Sequence, residues 1–397
     1  MERLSPVKKS TESIANKNNL CKALLIKVNE LDEALLLYDE QKYITAYINK
    51  SNGEQRKIHK PHYKVRKIQR RINNQIFKDI VLWPSYIYGC IPNEIDEQTK
   101  ETIHARDYVS CASQHCGAKS LLKIDIKDFF DNINSFLVNK IFIDFFKYPP
   151  DVSKLLTDIC CYKGNLIQGA LTSSYIAALC LWDVENMLVA RLHRKNLTYT
   201  RLVDDITISS KSSNYQFDYA ISCVLNVLNE KELPINQDKT IINYESITPL
   251  MVHGMRINFK EPRYPSDEVR RLRAAVHNME RLASEPGYRI TFAYRKDFSR
   301  CMGRINKLKR VKHSAHNKLV DRLRNILPLP AKVDIKRATI MVERLVKDYE
   351  AKKHTYWYHC RFYRAHDRLN VLQRTYNKTA KKLRDKLKGK KPDYDNK

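Results

Sequence analysis

Long apolar segments are missing from this sequence. Its longest uninterrupted apolar run, YIAALCLW at residues 175–182, is far shorter than the roughly 20 residues that a membrane-spanning helix requires. The opening residues, MERLSPVKKS, are not followed by an apolar stretch, so we expect no secretory signal peptide. We therefore expect a protein that works without a membrane.

Acidic charge is also scarce. Against 72 Lys and Arg there are only 44 Asp and Glu, which gives a formal net charge of +28. So strong a positive charge is typical of proteins that bind a polyanion, either nucleic acid or an acidic membrane surface. The ten cysteines form no recurrent CxxC pattern, which favours reduced thiols in the cytoplasm. We therefore favour nucleic acid as the partner and the cytoplasm as the location.

Internal repeats and low-complexity linkers are absent too. A length of 397 residues with 43% apolar content predicts a folded protein of two or three domains. Residues 120–258 alternate short β-like runs with helical runs, which is typical of an α+β domain. The basic stretch 50–77 predicts a hairpin around Asn52-Gly53 and then a helix. The apolar face of that helix is expected to consist of Ile68, Ile72 and Ile76.

Helical periodicity predicts the elements on either side of the α+β region. The first forty residues have apolar residues at helical spacing, namely Leu24, Leu25, Val28, Leu31, Leu35 and Leu36. A second helix is predicted from Ser266, and its apolar stripe consists of Val269, Leu272, Val276 and Met279. The stretch LPLPAK (327–332) is a plausible boundary before a basic tail.

Three aspartates lie in apolar surroundings. Asp204 and Asp205 interrupt TRLVDDITISS (200–210), which predicts two short strands and a tight turn. Asp125 lies within LLKIDI, a predicted strand, where an unpaired carboxylate would be costly. If these strands are neighbours, divalent cations would cancel the repulsion, and oxygen ligands suit Mg²⁺. The alternative is that Asp125 pairs with Lys123 or Lys127 and that the Asp pair is a solvated turn.

Several segments, in their order along the chain, resemble the motifs of a reverse transcriptase, closest to the bacterial retron-type group. The resemblance covers residues 45–325, which is more specific than any single motif. The matching segments are GEQRKIHKP (53–61), VRKIQR (65–70), IDIKDFF (124–130), CCYKGNLIQGALTSS (160–174), RLVDD (201–205), LPINQDKTII (233–242) and MVHGMRIN (251–258).

This resemblance implies roles for particular residues. It assigns the metal ligands to the three aspartates, Asp125, Asp204 and Asp205, and to the backbone carbonyl of Ile126. Lys239 would assist the departure of pyrophosphate, and Phe130 would crowd a ribose 2′-hydroxyl. The residues expected to bind the incoming nucleotide are Lys50, Arg56, Phe130, Gln168 and Gly169. In the fingers, Arg66 and Arg70 are expected to bind RNA.

The implied fold is an α+β, right-handed fingers–palm–thumb polymerase. Its parts are expected to be a helical N-terminal segment (1–44), fingers (45–119), palm (120–258), helical thumb (259–328) and a basic helical C-terminal extension (329–397). MVHGMRIN would be the hairpin that grips the primer.

The sequence departs from the retron pattern at several positions. Leu202 stands where the family has Tyr before the Asp pair, and proline is missing from the QGxxxS region. Cys111 replaces the Asn of an Asn-Ala-x-x-His element, although Ala112 and His115 are kept. His253 replaces the Thr of a Val-Thr-Gly element. A sister lineage of defence-associated reverse transcriptases therefore fits at least as well as retrons that make branched RNA–DNA.

The tail interleaves aromatic with basic residues. Residues 331–397 contain 20 Lys and Arg against 8 Asp and Glu, a net charge of +12. In KKHTYWYHCRFYRAHDR (352–368), arginine could take phosphates while aromatic rings stack on unpaired bases. The expected RNA-binding residues are Trp357, Tyr358, Arg361 and Arg364. The alternative is a solvated helix whose Trp357 and Leu369 dock on the thumb.

Zinc is not expected in the tail, since the spacing of His354, His359, Cys360 and His366 matches no standard zinc finger.

The predicted activity is RNA-directed DNA polymerisation with Mg²⁺. The expected partners are a structured non-coding RNA as template, deoxynucleoside triphosphates and the RNA–DNA duplex product. The sequence leaves open whether the protein also binds an effector protein or forms a homo-oligomer. Anti-phage defence is the role that the resemblance implies. The competing hypotheses are a non-catalytic RNA-binding scaffold on a polymerase fold, a retron enzyme making branched RNA–DNA, and an RNA-dependent RNA polymerase. Phe130 and the lack of a Gly-Asp-Asp motif speak against the last of these.

Overall fold

The chain is described by a computed structural model over residues 3–49, 53–96 and 98–394. It divides into two units, Met1–Arg263 and Tyr264–Lys397. The strands of the first unit are β1 (Val7–Lys8), β2 (Tyr43–Asn49), β3 (Gln55–Pro61), β4 (Val81–Leu82), β5 (Ile87–Tyr88), β6 (Glu94–Ile95), β7 (Thr102–His104), β8 (Ser120–Ile126), β9 (Leu197–Leu202), β10 (Asp205–Ser210), β11 (Ile235–Tyr244), β12 (Met251–Val252) and β13 (Met255–Arg256).

Helices surround these strands in the first unit. Two π-helical segments, Asn73–Lys78 and Ile141–Phe145, continue α4 and α7. The helices are α1 (Lys17–Ala23), α2 (Val28–Leu35), α3 (Asp39–Lys42), α4 (Tyr63–Ile72), α5 (Tyr108–Gln114), α6 (Phe129–Asn132), α7 (Ser135–Lys140), α8 (Pro150–Cys160), α9 (Ser173–Leu179), α10 (Glu185–Arg194) and α11 (Asp218–Glu230).

A five-stranded sheet of order β11-β8-β10-β9-β5 forms the centre of the first unit. The strands pair antiparallel except β5, which runs parallel to β9. Alternation decides which side chains are buried, since successive residues of a strand point to opposite faces. Ile124 and Ile206 are opposite each other in the register and both are 1% exposed, so they anchor the core face. The predicted strand–turn–strand at 200–210 is confirmed, because β9 and β10 flank Val203 and Asp204.

The basic stretch folds as its sequence predicts. β2 and β3 form an antiparallel hairpin in which Asn49 is opposite Gln55; Asn52 lies outside the described residues. The following helix α4 and its π-helical continuation bury Ile68, Ile72 and Ile76, which are each at most 1% exposed. This apolar face fixes the hairpin beside the central sheet's core.

The first forty residues differ from a continuous helix. Leu25 has a positive φ of 54°, which ends α1 and separates it from α2. Leu24 and Leu31 are buried, whereas Leu25 and Leu36 are 60% and 79% exposed. The leucine spacing therefore predicted too long a helix, because the chain forms two short helices that bury only some of these leucines.

The second unit is helical. It contains α12 (Ser266–Ser284), a 3₁₀ turn (Tyr288–Ile290), α13 (Phe292–Arg310), α14 (Ala315–Asn325), α15 (Lys332–Lys352), α16 (Tyr356–Leu372) and α17 (Asn377–Leu387). The predicted stripe of α12 is confirmed, since its buried residues are Val269, Leu272, Val276 and Met279. In the part of the chain that is described, no helix is long and apolar enough to cross a membrane.

The tail forms a three-helix bundle with its own apolar core. Helices α15, α16 and α17 bury one cluster that is separate from the cluster of α12–α14. The core stripe of α16 consists of Tyr358, Phe362, Ala365, Leu369 and Leu372. Tyr358 is 2% exposed and its hydroxyl donates to the backbone carbonyl of Lys390, so the prediction that this ring stacks on RNA bases is wrong. Trp357, by contrast, is 71% exposed and is not buried against the thumb helices.

Candidate active site at the edge of the central sheet

Three carboxylates lie at one end of the central sheet. Asp205 on β10 is directly opposite Asp125 on β8, and the backbone N–H of Ile126 donates to the carbonyl of Asp204 at 3.1 Å. Like charges directly opposite each other on an antiparallel pair are destabilising. We call Asp125, Asp204 and Asp205 the carboxylate edge. Strand pairing alone thus brings the three aspartates together.

The turn that presents the Asp pair is held by a buried ion pair. The Arg201 guanidinium donates to both carboxylate oxygens of Glu185, at 2.6 and 2.8 Å, and both side chains are at most 1% exposed. Arg201 also donates to the backbone carbonyls of Ala177, Ala178 and Val203. Since Val203 has a positive φ of 62°, this last bond fastens the turn in a backbone conformation that is rare for a β-branched residue.

Lys239 neutralises part of the negative charge. Its ammonium group lies 3.0 Å from both carboxylate oxygens of Asp125. It reaches them from β11, which pairs with β8 and shifts register between Asn236 and Ile241. The pKa of Lys239 is raised by this hydrogen bond. The alternative that Asp125 pairs with Lys123 or Lys127 is therefore not what the structure shows.

The pKa values of Asp204 and Asp205 are both raised. Burial, together with the negative charges of Asp204 and Asp125, raises the pKa of Asp205 to about 6. Burial also raises the pKa of Asp204, and Asp125 adds to this effect while the positive charges of Lys239 and Arg56 oppose it. A cation bound at the carboxylate edge would therefore stabilise the charged form of these carboxylates.

The arrangement suits a cation but is not a ready-made metal cluster. Within residues 3–49, 53–96 and 98–394, no three His, Cys, Asp or Glu side chains lie close enough together to hold a metal ion as they stand. A cation is already present beside Asp125, since the Lys239 ammonium lies 3.0 Å from its carboxylate. The oxygen-only donor set is of the kind that hard divalent cations prefer. The donor chemistry fits a divalent ion, and holding one would require the three carboxylates to move closer together.

The hairpin β2–β3 contacts the QGxxxS segment through its backbone. The His59 N–H donates to the carbonyl of Gln168 at 2.8 Å. A Cβ added at Gly169 would lie 2.1 Å from the carbonyl oxygen of His59, so only glycine allows this approach. Arg56 is exposed on β3, and its charge acts on Asp204; Lys50 lies outside the described residues. The hairpin thus brings one of the two expected triphosphate ligands toward the carboxylate edge.

Three other residues singled out from the sequence lie on helices of the first unit. Phe130, in α6, is half-buried and packs against Phe129 with ring centroids 6.0 Å apart. Arg66 and Arg70 are half-buried on α4, whose apolar face points into the core. The roles expected of these three side chains stay predictions.

Comparisons with known proteins decide the family. Residues 48–270 match the family model described as reverse transcriptase (RNA-dependent DNA polymerase). The Retron Ec48 reverse transcriptase of Escherichia coli is 42% identical over 94% of this chain and 92% of its own length. The Retron Se72 reverse transcriptase of Salmonella heidelberg is 29% identical over 75% and 76% of the two chains. Among solved structures, telomerase from Candida albicans with a fragment of telomeric RNA has a TM-score of 0.41 at 11% identity, over 88% of this chain and 65% of that chain.

The chain is a retron-type reverse transcriptase. It has the reverse transcriptase fold, and its activity is RNA-directed DNA polymerisation from an RNA template and nucleotide substrates. The family implies a divalent metal ion. Because the relatives are retron enzymes, Cys111 and His253 do not exclude the chain from that group.

Two of the departures of this reverse transcriptase from the retron pattern, Cys111 and His253, contact each other. The thiol of Cys111 lies 3.4 Å from Nε2 of His253, and Nδ1 of His253 lies 4.0 Å from a carboxylate oxygen of Asp205. Cys111 also donates to the hydroxyl of Thr200. Burial raises the pKa of Cys111 to about 12, so the group acts as a neutral thiol.

This contact belongs to a longer chain of polar groups. Thr200 lies 2.8 Å from Nε2 of His115, and Nδ1 of His115 lies 2.7 Å from the hydroxyl of Ser209. Burial lowers the pKa of His115 to about 3, so the ring is neutral at physiological pH. A cavity of about 190 Å³ beside Asp205 is lined by Lys123, Asp205, Ile206, Thr207, His253 and Gly254. The hairpin β12–β13 is thereby tied to the carboxylate edge.

The sequence did not reveal the residues that support the reverse transcriptase site from behind. Gln69 is fully buried; it donates to Tyr43 and to the carbonyl of Ile159, and accepts from the N–H of Leu171. Asn73 donates to the carbonyl of Leu171. Arg201 and Glu185 hold the turn. Only Gln69 had a sequence signal, namely a polar residue next to Ile68 within a predicted apolar helix face.

Proposed function

We propose that this reverse transcriptase copies a dedicated, structured non-coding RNA into DNA, using Mg²⁺ at the carboxylate edge. The observation that carries the proposal is the register that puts Asp125 opposite Asp205, with Asp204 in the adjoining turn. A carboxylate whose pKa is raised by burial and by two other carboxylates, as that of Asp205 is, is stabilised in its charged form by a divalent cation.

Asp125, Asp204 and Asp205 would hold the ions, with the carbonyl of Ile126 as a further oxygen ligand. When bound, the metal lowers the pKa of the attacking 3′-hydroxyl and stabilises the leaving pyrophosphate. Lys239 would release Asp125 and turn toward the leaving group, where its ammonium offsets negative charge. The exposure of its side chain, 63%, leaves it room to move.

The nucleotide is proposed to lie between the hairpin β2–β3 and the sheet. Arg56 and Lys50 would bind its triphosphate, and Gln168 with Gly169 would lie against the base and the template. Phe130 would stand against the sugar and disfavour a 2′-hydroxyl. Positioning and electrostatics of this kind supply most of the catalysis in phosphoryl transfer.

RNA is proposed to contact the basic surface as well as the site. Arg66 and Arg70 on α4 would contact the template, and Trp357, Arg361 and Arg364 on α16 would contact a structured region of the RNA. The ten cysteines are free thiols, which agrees with a cytoplasmic location. Anti-phage defence is the biological role that we propose, in line with the retron enzymes that the chain resembles.

The test of the active site is the double substitution Asp204→Ala with Asp205→Ala. It should abolish deoxynucleotide incorporation on an RNA template, because it removes metal ligands, while the fold and RNA affinity are kept. Primer extension and RNA binding are measured on the same preparations. Asp238→Asn, an exposed carboxylate change on β11, is the matched control and should keep full activity.

Polymerisation by the double variant at the wild-type rate would overturn the assignment of the site. Loss of RNA binding together with activity would show that the substitutions disturb the fold, and Asp205→Asn would then replace the double variant in the same assay.

A further inference from the structure

Five arginines line one groove of the C-terminal bundle. Helix α15 contributes Arg337 and Arg344, and α16 contributes Arg361, Arg364 and Arg368. The groove has a volume of about 310 Å³, and the apolar part of its lining consists of Ile340, Met341 and Leu345. We call this feature the arginine groove.

The positive charge of the arginine groove is poorly neutralised. Asp348 is the one acidic residue of the lining; its carboxylate accepts from Lys352 at 2.9 Å and lies 3.9 Å from Arg361. For Arg344, Arg364 and Arg368, no carboxylate lies within 4.0 Å in the part of the chain that is described. Like charges that face one another cost stability unless an anion is bound. The groove is therefore built for an anionic ligand.

The positive charge of the arginines extends along the groove and is not concentrated at one position. Arg337 and Arg344 are seven residues apart on α15, as are Arg361 and Arg368 on α16, so each pair extends about 10 Å along its helix at 1.5 Å per residue. A single phosphate could not contact both ends. A phosphodiester backbone, with a charge on every nucleotide, fits this geometry.

An exposed aromatic ring continues the same face. Trp357 precedes Arg361 by four residues and Arg364 by seven, which puts all three on one side of α16. Its ring is 71% exposed. Exposed aromatic rings beside arginines stack on unpaired bases, which contributes roughly 1–3 kcal/mol per base.

We propose that the arginine groove binds the phosphodiester backbone of an RNA strand, and that Trp357 stacks on an unpaired base next to it. This inference rests on the proposed function, because it names the surface that anchors the template RNA outside the active site. It adds Arg337, Arg344 and Arg368 to the RNA contacts and gives Trp357 a defined neighbour.

The test uses the full-length protein and a short RNA hairpin with a single-stranded tail. Charge reversal by Arg344→Glu, Arg364→Glu and Arg368→Glu should weaken binding at low salt by about tenfold or more and lower the salt slope by about 2, at 0.7 per lost single-strand contact. The matched control reverses three exposed lysines of α17, by Lys378→Glu, Lys381→Glu and Lys382→Glu, and changes the net charge equally. It should weaken binding far less.

Equal weakening by both triple variants, or no weakening by the groove variant, would overturn the proposal. Binding of anionic lipid vesicles is measured with the same proteins, and a groove-dependent affinity for vesicles that exceeds the affinity for RNA would also overturn it. Extension of a generic primer–template is measured with the unaltered protein and with the α17 lysine variant, where it should proceed at the same rate. A failure of the groove is thus distinguishable from a failure of the proposed function, which appears in the extension assay.

Stacking is tested by fluorescence. Trp83 is buried and Trp182 is half-buried, so a bound base should quench mainly the emission of Trp357. Quenching by the hairpin with a single-stranded tail should be lost in Trp357→Phe. Equal quenching by that variant would overturn the role of Trp357.

Discussion

The carboxylate edge and the arginine groove both concentrate charge of one sign, but the protein supports them in opposite ways. Behind the carboxylate edge stand fully buried polar groups, above all Arg201 with Glu185. Around the arginine groove the charged groups are solvent-exposed and their helices pack through an apolar core. Catalysis requires charges held at fixed positions, whereas attraction of a flexible polyanion requires only their density.

The largest effect is expected from breaking the buried support. Arg201→Leu should lower the free energy of unfolding by about 3–5 kcal/mol, because it leaves the Glu185 carboxylate charged and unpaired in the core. Chemical denaturation measures this loss. Arg191→Leu, an exposed substitution on the helix that carries Glu185, is the control and should have little effect.

A joint change of both partners sharpens this result. Glu185→Leu with Arg201→Leu should be less destabilising than Arg201→Leu alone, since no buried charge stays unpaired. A double variant as unstable as the single one would show that the backbone bonds of Arg201, and not the ion pair, hold the turn.

The same contrast explains what the sequence could predict. Strands β8, β9 and β10 were predictable because their apolar residues and carboxylates follow the strand period, and the stripe of α12 because it follows the helical period. The pairing of Glu185 with Arg201 was not predictable, because the two residues are 16 positions apart on different elements. Nothing in RLVDD distinguishes a buried arginine from an exposed one. Tyr358 was misassigned because the sequence of aromatic and basic residues does not by itself show which aromatic residue lies on the buried face of the helix.

The next effect concerns charge within the carboxylate edge itself. The pKa of Asp205 is raised to about 6, so its charged form destabilises the metal-free fold at neutral pH. Asp205→Asn should therefore raise the free energy of unfolding by about 1 kcal/mol in the presence of a chelator, after allowance for the half-exposed side chain.

The size of this gain depends on pH. Protonated Asp205 carries no repelled charge, so the gain should be full above about pH 6 and should disappear as the pH falls toward about 4. Asp238→Asn is the control for the lost charge. A gain that persists at low pH would mean that packing, and not charge repulsion, is the cause.

The contact between Cys111 and His253 should produce a smaller, coupled effect. Cys111→Asn and His253→Thr each restore one residue of the retron pattern but leave it against a mismatched neighbour. Each should reduce primer extension several-fold, while the double variant should lose less than the product of the two. A coupling free energy of about 1 kcal/mol is expected for residues in direct contact.

Primer extension by the four proteins measures this coupling, and thermal unfolding of each separates activity from stability. Single effects that simply multiply would show that the two residues do not act as a pair. His115→Asn is a useful further variant, because it interrupts the same polar chain away from the hairpin.

The smallest effect is expected at the arginine groove. Arg364→Ala removes an exposed side chain that has like-charged neighbours on its own helix, Arg361 and Arg368. Since like charges three and four residues apart repel, and alanine favours helix slightly more than arginine, the free energy of unfolding should rise by at most about 0.5 kcal/mol. High salt should abolish the part of this gain that comes from repulsion. A loss of more than about 1 kcal/mol would instead make Arg364 a structural residue, and a side chain needed by the fold would not be free to bind RNA.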